Sequence, residues 1–353
     1  MKETITTIFP CRAMDRRAFL RLSGLLGLGV AATAIVPARA EAVMFNHRLR
    51  KVSKTSLAMG TVVSMTLFHA SRDRAEEAMG LAFKEMDRLA RLMSRYDEST
   101  AVAQLNKEGH LHGLTPELAR VLQSALHYNR ISGGCFDITV KPVVDLFRDK
   151  LGQGKEKTVS EKDLNRVLGL VDSGRIRLQN GSVSFQRPGM GITLDGIAKG
   201  YIVDRASAIL AECGVTDHLI NAGGDIRTMG SKPDEKPWTV VIQDPEKKEN
   251  YPDMIQMRNG AVATSGNYEV YFDREKMFHH IVDPRTGLSP DLATSVSVLA
   301  QNTMEADALS TSVFVMGSEP GVRFIESLSG CECLIIARDG SQQKSRGWKS
   351  AAI

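Results

Sequence analysis

No stretch of this 353-residue chain is apolar for long enough to span a bilayer. The longest such run, residues 22–36, covers about 15 positions and is rich in glycine and alanine. Cysteine is scarce: Cys11, Cys135, Cys213, Cys331 and Cys333 are all there is, and none shows paired metal-ligand spacing, so a cysteine-based zinc site is excluded. An excess of one charge is also missing. The formal net charge is +4, but residues 1–40 hold six Lys/Arg against two Asp/Glu, which leaves 39 of each in the remainder. A chain balanced in this way carries no nucleic-acid footprint. Short-period repeats and low-complexity tracts are absent too. What is present, 42% hydrophobic and 24% charged residues, is an ordinary soluble composition, long enough for one large core or two intimate domains.

Residues 1–40 read as a targeting segment. The twin arginine Arg16-Arg17 precedes the apolar pair Phe19-Leu20, then comes the apolar run, then Ala38-Arg39-Ala40, a small-x-small cleavage site. A membrane anchor is the alternative, and the short Gly/Ala-rich run counts against it. Met1 and Met14 are both candidate starts, since residues 1–13 add nothing to the signal. Twin-arginine cargo folds before export, in a reducing cytoplasm, so no disulfide is required for the fold. Cys331 and Cys333 alternate on an expected strand with side chains to one side, which reads as packing.

Residues 60–69 alternate as a strand, and residues 73–95 carry the helical stripe Ala78, Ala82, Met86, Leu89 and Met93. A second helix starts with Thr115 as N-cap and Pro116 in first position. Residues 152–158 form a solvated loop, Ser160 caps a short helix, and residues 175–186 form a hairpin about Asn180-Gly181. Residues 196–213 and 304–316 read as helices, with a short helix from Pro320. Residues 238–242, 260–264, 268–272 and 333–337 read as strands. Helices and strands are interspersed, which predicts the α+β class with largely antiparallel sheets, and a single domain over residues 45–345.

The most informative segment is His280-Ile281-Val282-Asp283-Pro284-Arg285-Thr286-Gly287. Asp-Pro and Thr-Gly are turn dipeptides, and the residue before a proline favours extended backbone. Residues 281–283 are therefore expected to be a strand end that delivers His280 to a loop rim. A polar turn with a surface histidine is the alternative. Asp307 and Thr311 stand at i and i+4 on one helical face, a carboxylate and a hydroxyl of the hard-oxygen kind that suits Mg²⁺. Two ligands suffice where phosphates and water complete the shell; a Thr311 back-bonded to its own helix is the alternative. In residues 192–204, Gly196 and Gly200 would let backbone approach a ligand, with the charge of Lys199 beside them.

Together with Met59-Gly60-Thr61 and Gly134-Cys135-Phe136-Asp137, and in this order, these motifs resemble the ApbE family, the FAD:protein FMN transferases, over residues 57–337. The resemblance implies an ApbE-like fold with a cofactor cleft between two lobes. It implies FAD as substrate and Mg²⁺ as metal, with Ca²⁺ the alternative, held by Asp307, Thr311 and the Gly196 carbonyl. His280 becomes the general base, with a small share left to His279. Met59, Tyr96, Cys135, Phe136, Asp137, Lys199, Ser265 and Ile281 become cofactor contacts; from bare sequence Tyr96 is equally a core aromatic ending the long helix. One departure stands out: where the family has Asp, this chain has Thr193, with Asp195 nearby, and either could make the nucleotide contact.

The implied reaction is transfer of FMN to a threonine hydroxyl of an acceptor flavoprotein, a subunit of a membrane redox complex of the NosR, Nqr or Rnf kind. An FAD pyrophosphatase and a non-catalytic FAD carrier are the rival readings. Many family members are lipoproteins, but no cysteine follows the apolar run here. That implies a soluble periplasmic protein without a transmembrane segment, similar to the NosX-like branch.

Overall fold

In a computed structural model of the chain, the described residues are 43–45, 49–151, 158–245, 251–267 and 279–351. The targeting segment, nearly all of the expected 152–158 loop and the expected 268–272 strand lie outside them.

Strands β1 (Val43–Phe45), β2 (Leu49–Ala58) and β3 (Thr61–His69) pair antiparallel, and Ala58 opposite Thr61 closes a tight turn at Met59-Gly60. Helix α1 (Arg72–Met93) is capped by Ser71 and buries the expected stripe, Ala78 to Met93. Helix α2 (Ala101–Glu108) is capped by Thr100, strand β4 (His110–His112) follows, and α3 (Pro116–Ile131) has Thr115 as its cap and Pro116 in its first turn. Each such side-chain cap is worth about 1 kcal/mol. Helices α4 (Lys141–Leu151) and α5 (Glu161–Leu168), the latter capped by Ser160, lead to the hairpin β5 (Ile176–Gln179) and β6 (Ser182–Phe185). Its turn residues Asn180 and Gly181 both have positive φ, 49° and 69°, as a two-residue hairpin of this type requires.

Helix α6 (Ala198–Glu212) precedes β7 (Asp217–Ala222), β8 (Asp225–Met229), β9 (Trp238–Ile242), β10 (Asp253–Met257), β11 (Gly260–Gly266) and β12 (Ala293–Ala300). Helices α7 (Thr303–Met316) and α8 (Ser318–Glu326) and strands β13 (Glu332–Ala337) and β14 (Gln342–Lys344) complete the order. The main sheet runs β1-β2-β3-β7-β8-β11-β12-β13-β14, and every pairing among the described residues is antiparallel. The α+β class with antiparallel sheets is thus what the chain forms.

The main core draws on residues from Val52 to Ile335. Helix α7 lies inside it, buried on nearly every side, with α6 along one flank and β11 and β12 beneath. A satellite cluster of Val140, Val143, Val144, Phe147 and Leu151 takes Val282 from the His280 turn. No helix among the described residues is long and apolar enough to cross a membrane.

Two expectations are corrected. Residues 281–283 are not a strand: the Asp283 N–H is spent on Leu288 O, its carboxylate takes the Arg285 N–H, and Gly287 N–H returns to Asp283 O. The backbone bonds of Asp283 close a turn and are not available to a ladder. Tyr96 is not a core aromatic. Helix α1 stops at Met93, and Tyr96 is 67% exposed.

Candidate active site

Two adjoining cavities share part of their walls, and the smaller lies where the satellite cluster meets the main body. The smaller, about 100 Å³, is walled by Cys135, Phe136, Asp137, Thr193, Gly196, Ser265, His280, Ile281, Asp307 and Thr311. The larger, about 550 Å³, is walled by Met59 and Tyr96 among others, and Asp195 and Lys199 line both. The residues expected to hold cofactor and metal, together with His280, therefore line one or other of two cavities with shared walls, although they span positions 59–311; Gly200 and His279 line neither.

Asp307 is brought there by a helix that is buried along nearly all its length. Its carboxylate is 5% exposed, and Gly200 N–H donates to Oδ2 at 3.0 Å. Burial pushes this carboxyl well above the usual carboxylate range; the charge of Asp225 adds to the shift, and Lys199 and the Gly200 amide oppose it. One turn on, Thr311 Oγ1 is 3.3 Å from Ser265 Oγ, which bonds Ser310 Oγ at 2.8 Å. Thr311 is thus linked to β11, not back-bonded alone. A Cβ at Gly196 would stand 3.0 Å from Thr311 Oγ1 and 3.3 Å from the Phe136 ring, so only glycine keeps that wall open.

Gly200 plays a different part from the one expected. A Cβ there would collide with the Thr303 carbonyl, so its bareness serves the approach of α6 to α7, not of backbone to a ligand. Asp204 strengthens the same junction by accepting from the N–H groups of Thr303 and Met304 at 2.9 Å each. Lys199 points to Asp225, with Nζ 3.6 Å from Oδ1 of a carboxylate that is 1% exposed. Asp225 is a residue the sequence did not reveal as part of the site. It sits behind two glycines in a hairpin, and only the fold brings it beside Asp307.

Asp137 caps the short helical turn Ile138–Val140. Its oxygens accept from Thr139, Ser173 and Asn129, so the carboxylate is committed to architecture. Thr193 Oγ1 accepts from Asp195 N–H at 3.3 Å, whereas the Asp195 side chain is 51% exposed. Both line the smaller cavity, and the Asp195 carboxylate has Arg95 Nε 3.4 Å from Oδ2. Burial pushes the Cys135 thiol up, so it is wall, not nucleophile.

His280 is half-buried on the rim of the smaller cavity. Its neighbour His279 is 3% exposed, bonds Pro290 O through Nε2 at 3.0 Å, and meets the Phe314 ring edge-on. The two histidines part ways: one to the core, one to the cavity. Val282 and Gly287 fasten the turn, the first in the satellite cluster and the second against Leu164 of α5.

The ApbE family model matches residues 59–335. The FAD:protein FMN transferase of Haemophilus influenzae is 30% identical over 259 residues, covering 70% of this chain and 75% of that protein. That of Treponema pallidum is 28% identical over 325 residues, covering 85% and 88%. The solved ApbE protein of Thermotoga maritima matches with a TM-score of 0.77 at 28% identity, over 84% of this chain and 97% of that one. The flavin transferase ApbE of Vibrio cholerae shares the fold at TM-score 0.70 and 24% identity, over 86% and 98%. A family match across most of the chain, joined to this fold, means that the chain belongs to the ApbE family.

Proposed function

We propose that this protein transfers FMN from FAD to a threonine hydroxyl of an acceptor flavoprotein and releases AMP. The observation that carries the reading is the meeting of Asp307, Thr311, Ser265 and His280 on one small cavity, open to a larger one beside it. The larger volume lies in the range of small-molecule sites, roughly 300–1,000 Å³.

The residues present fit a divalent cation. Asp307 is a buried carboxylate in need of positive charge, and the groups around it are hard oxygens. No cluster of three or more His, Cys, Asp or Glu able to hold a metal exists among the described residues, which suits an ion shared with phosphates. Asp307, Thr311 and the Gly196 carbonyl would hold Mg²⁺, with Ca²⁺ the alternative. What Mg²⁺ supplies when bound is charge neutralisation on the pyrophosphate.

The chain's own residues do the rest. Met59 and Tyr96 wall the space for the dinucleotide, and Phe136 and Ile281 give the smaller cavity an apolar lining. His280 accepts the threonine proton as the hydroxyl oxygen attacks the FMN phosphorus. A new P–O bond forms, the phosphoanhydride bond breaks, and AMP leaves with the electron pair. The twin arginine supports action in the periplasm. The acceptor would be a subunit of a membrane redox complex of the NosR, Nqr or Rnf kind.

Incubating the protein with FAD, Mg²⁺ and such an acceptor domain tests the reading. An FMN-sized mass increase on an acceptor threonine, abolished by EDTA, is expected. AMP release without any adduct would favour hydrolysis of FAD, and intact bound FAD would leave a carrier.

A further inference from the structure

Arg95 lies two residues past the end of α1, with its side chain 4% exposed, and faces acids from two separate segments. Nη1 donates to Asp145 Oδ1 of α4 at 2.9 Å, and Nε stands 3.4 Å from Asp195 Oδ2. Its guanidinium carbon is 4.7 Å from the centre of the Tyr96 ring, which Arg148 of α4 also approaches, at 5.3 Å. Asp195 and Tyr96 line the larger cavity, and Arg95 stands behind both.

The electrostatics of the walls give this placement a consequence. On the two cavities, aspartates outnumber the cations Arg91 and Lys199. A ligand carrying a pyrophosphate would meet repulsion there, and the half-exposed Asp195 lies on both cavities. A guanidinium buried behind that carboxylate is screened little by solvent, so its compensation reaches into the cavity.

We propose that Arg95 is a positioning residue for the dinucleotide. It neutralises Asp195 from behind and steadies Tyr96, so that the larger cavity admits an anionic pyrophosphate ligand. This inference rests on the FAD reading above. The acid at position 195, two residues past Thr193, thus comes with a buried partner.

The experiment is equilibrium binding of FAD to the full chain, with Mg²⁺ present, at several KCl concentrations. Arg95→Gln should weaken binding about tenfold at low salt, less than the loss of a fully buried partner because Asp195 is half-exposed. The loss should shrink as KCl rises, because what remains is a repulsion that salt screens. Adding Asp195→Asn to Arg95→Gln should restore affinity to within about threefold of the parent, since the two residues are coupled. A double variant as weak as the single one at every salt concentration would mean a purely structural role and overturns the proposal. Asp195→Asn alone alters a half-exposed side chain and covers the case in which Arg95→Gln fails to fold. It should bind FAD more tightly than the parent, and weaker binding overturns the inference. Parent protein that does not bind FAD overturns the functional reading and this inference together, whereas parent binding unchanged by Arg95→Gln overturns the inference alone.

Discussion

At the scale of single residues, the metal site proposed at Asp307 has a consequence for stability. Its carboxylate is buried on a helix that the core encloses along nearly all its length, with Asp225 nearby adding repulsion. Asp307→Asn should therefore leave the metal-free protein as stable as the parent or more so, by up to about 2 kcal/mol, while removing any stabilisation by Mg²⁺. Calorimetry with and without Mg²⁺ checks both halves, and a metal-free variant that melts well below the parent would contradict the assignment. His218 offers a test that has nothing to do with the site. Burial pushes its imidazole down to about 4 from 6.5, while the Val215 carbonyl opposes the shift. The unfolded chain binds the proton first, so this stability is fully present above pH 6.5 and is lost as pH falls toward 4. It amounts to about 3 kcal/mol. Urea unfolding of His218→Gln should show a flatter pH dependence across that window than the parent. Spacing and turn dipeptides singled out Asp307, Thr311 and His280 in the sequence, while the roles expected of them came from the family resemblance. Arg95 and Asp225 were not legible: a buried charge declares itself only through partners distant in sequence.

At the scale of elements, local signals were dependable where the physics is local. Thr115, Ser160 and Asn180-Gly181 cap or turn as read, because each acts on backbone within three residues. The strand expected over residues 281–283 failed because Asp283 gives its backbone and carboxylate to the turn, a competition invisible to apolar patterning. Gly200 was legible as a glycine that mattered, but its partner was not. The α6–α7 contact depends on it, and that contact aligns Asp307 with the Gly196 wall. Gly200→Ala should cost about 3 kcal/mol through the collision with Thr303, even though alanine is the better helix former. Denaturant unfolding measures this directly; a variant as stable as the parent would show that the junction is looser than described.

At the scale of the whole molecule, the sheet order carries the design. Strand β3 pairs with β7 across more than a hundred residues, which sets the Met59 turn beside the start of α6. Strand β11 presents Ser265 to Thr311 of α7, and the satellite helices hold the His280 turn from the other side. Pairings between distant strands are decided by which faces meet in the core, and no periodicity along the chain encodes them. The antiparallel α+β class was therefore readable, while the strand order was not. The site is a product of that order, since none of its elements alone gathers more than two or three of the groups. The most direct single measurement is intact-mass analysis of an acceptor domain after incubation with saturating FAD and Mg²⁺ and either the parent protein or His280→Ala. The parent should add one FMN per acceptor, and His280→Ala should do so at least about 100-fold more slowly while still binding FAD. Equal rates from the two proteins would remove His280 from the chemistry and contradict the mechanism.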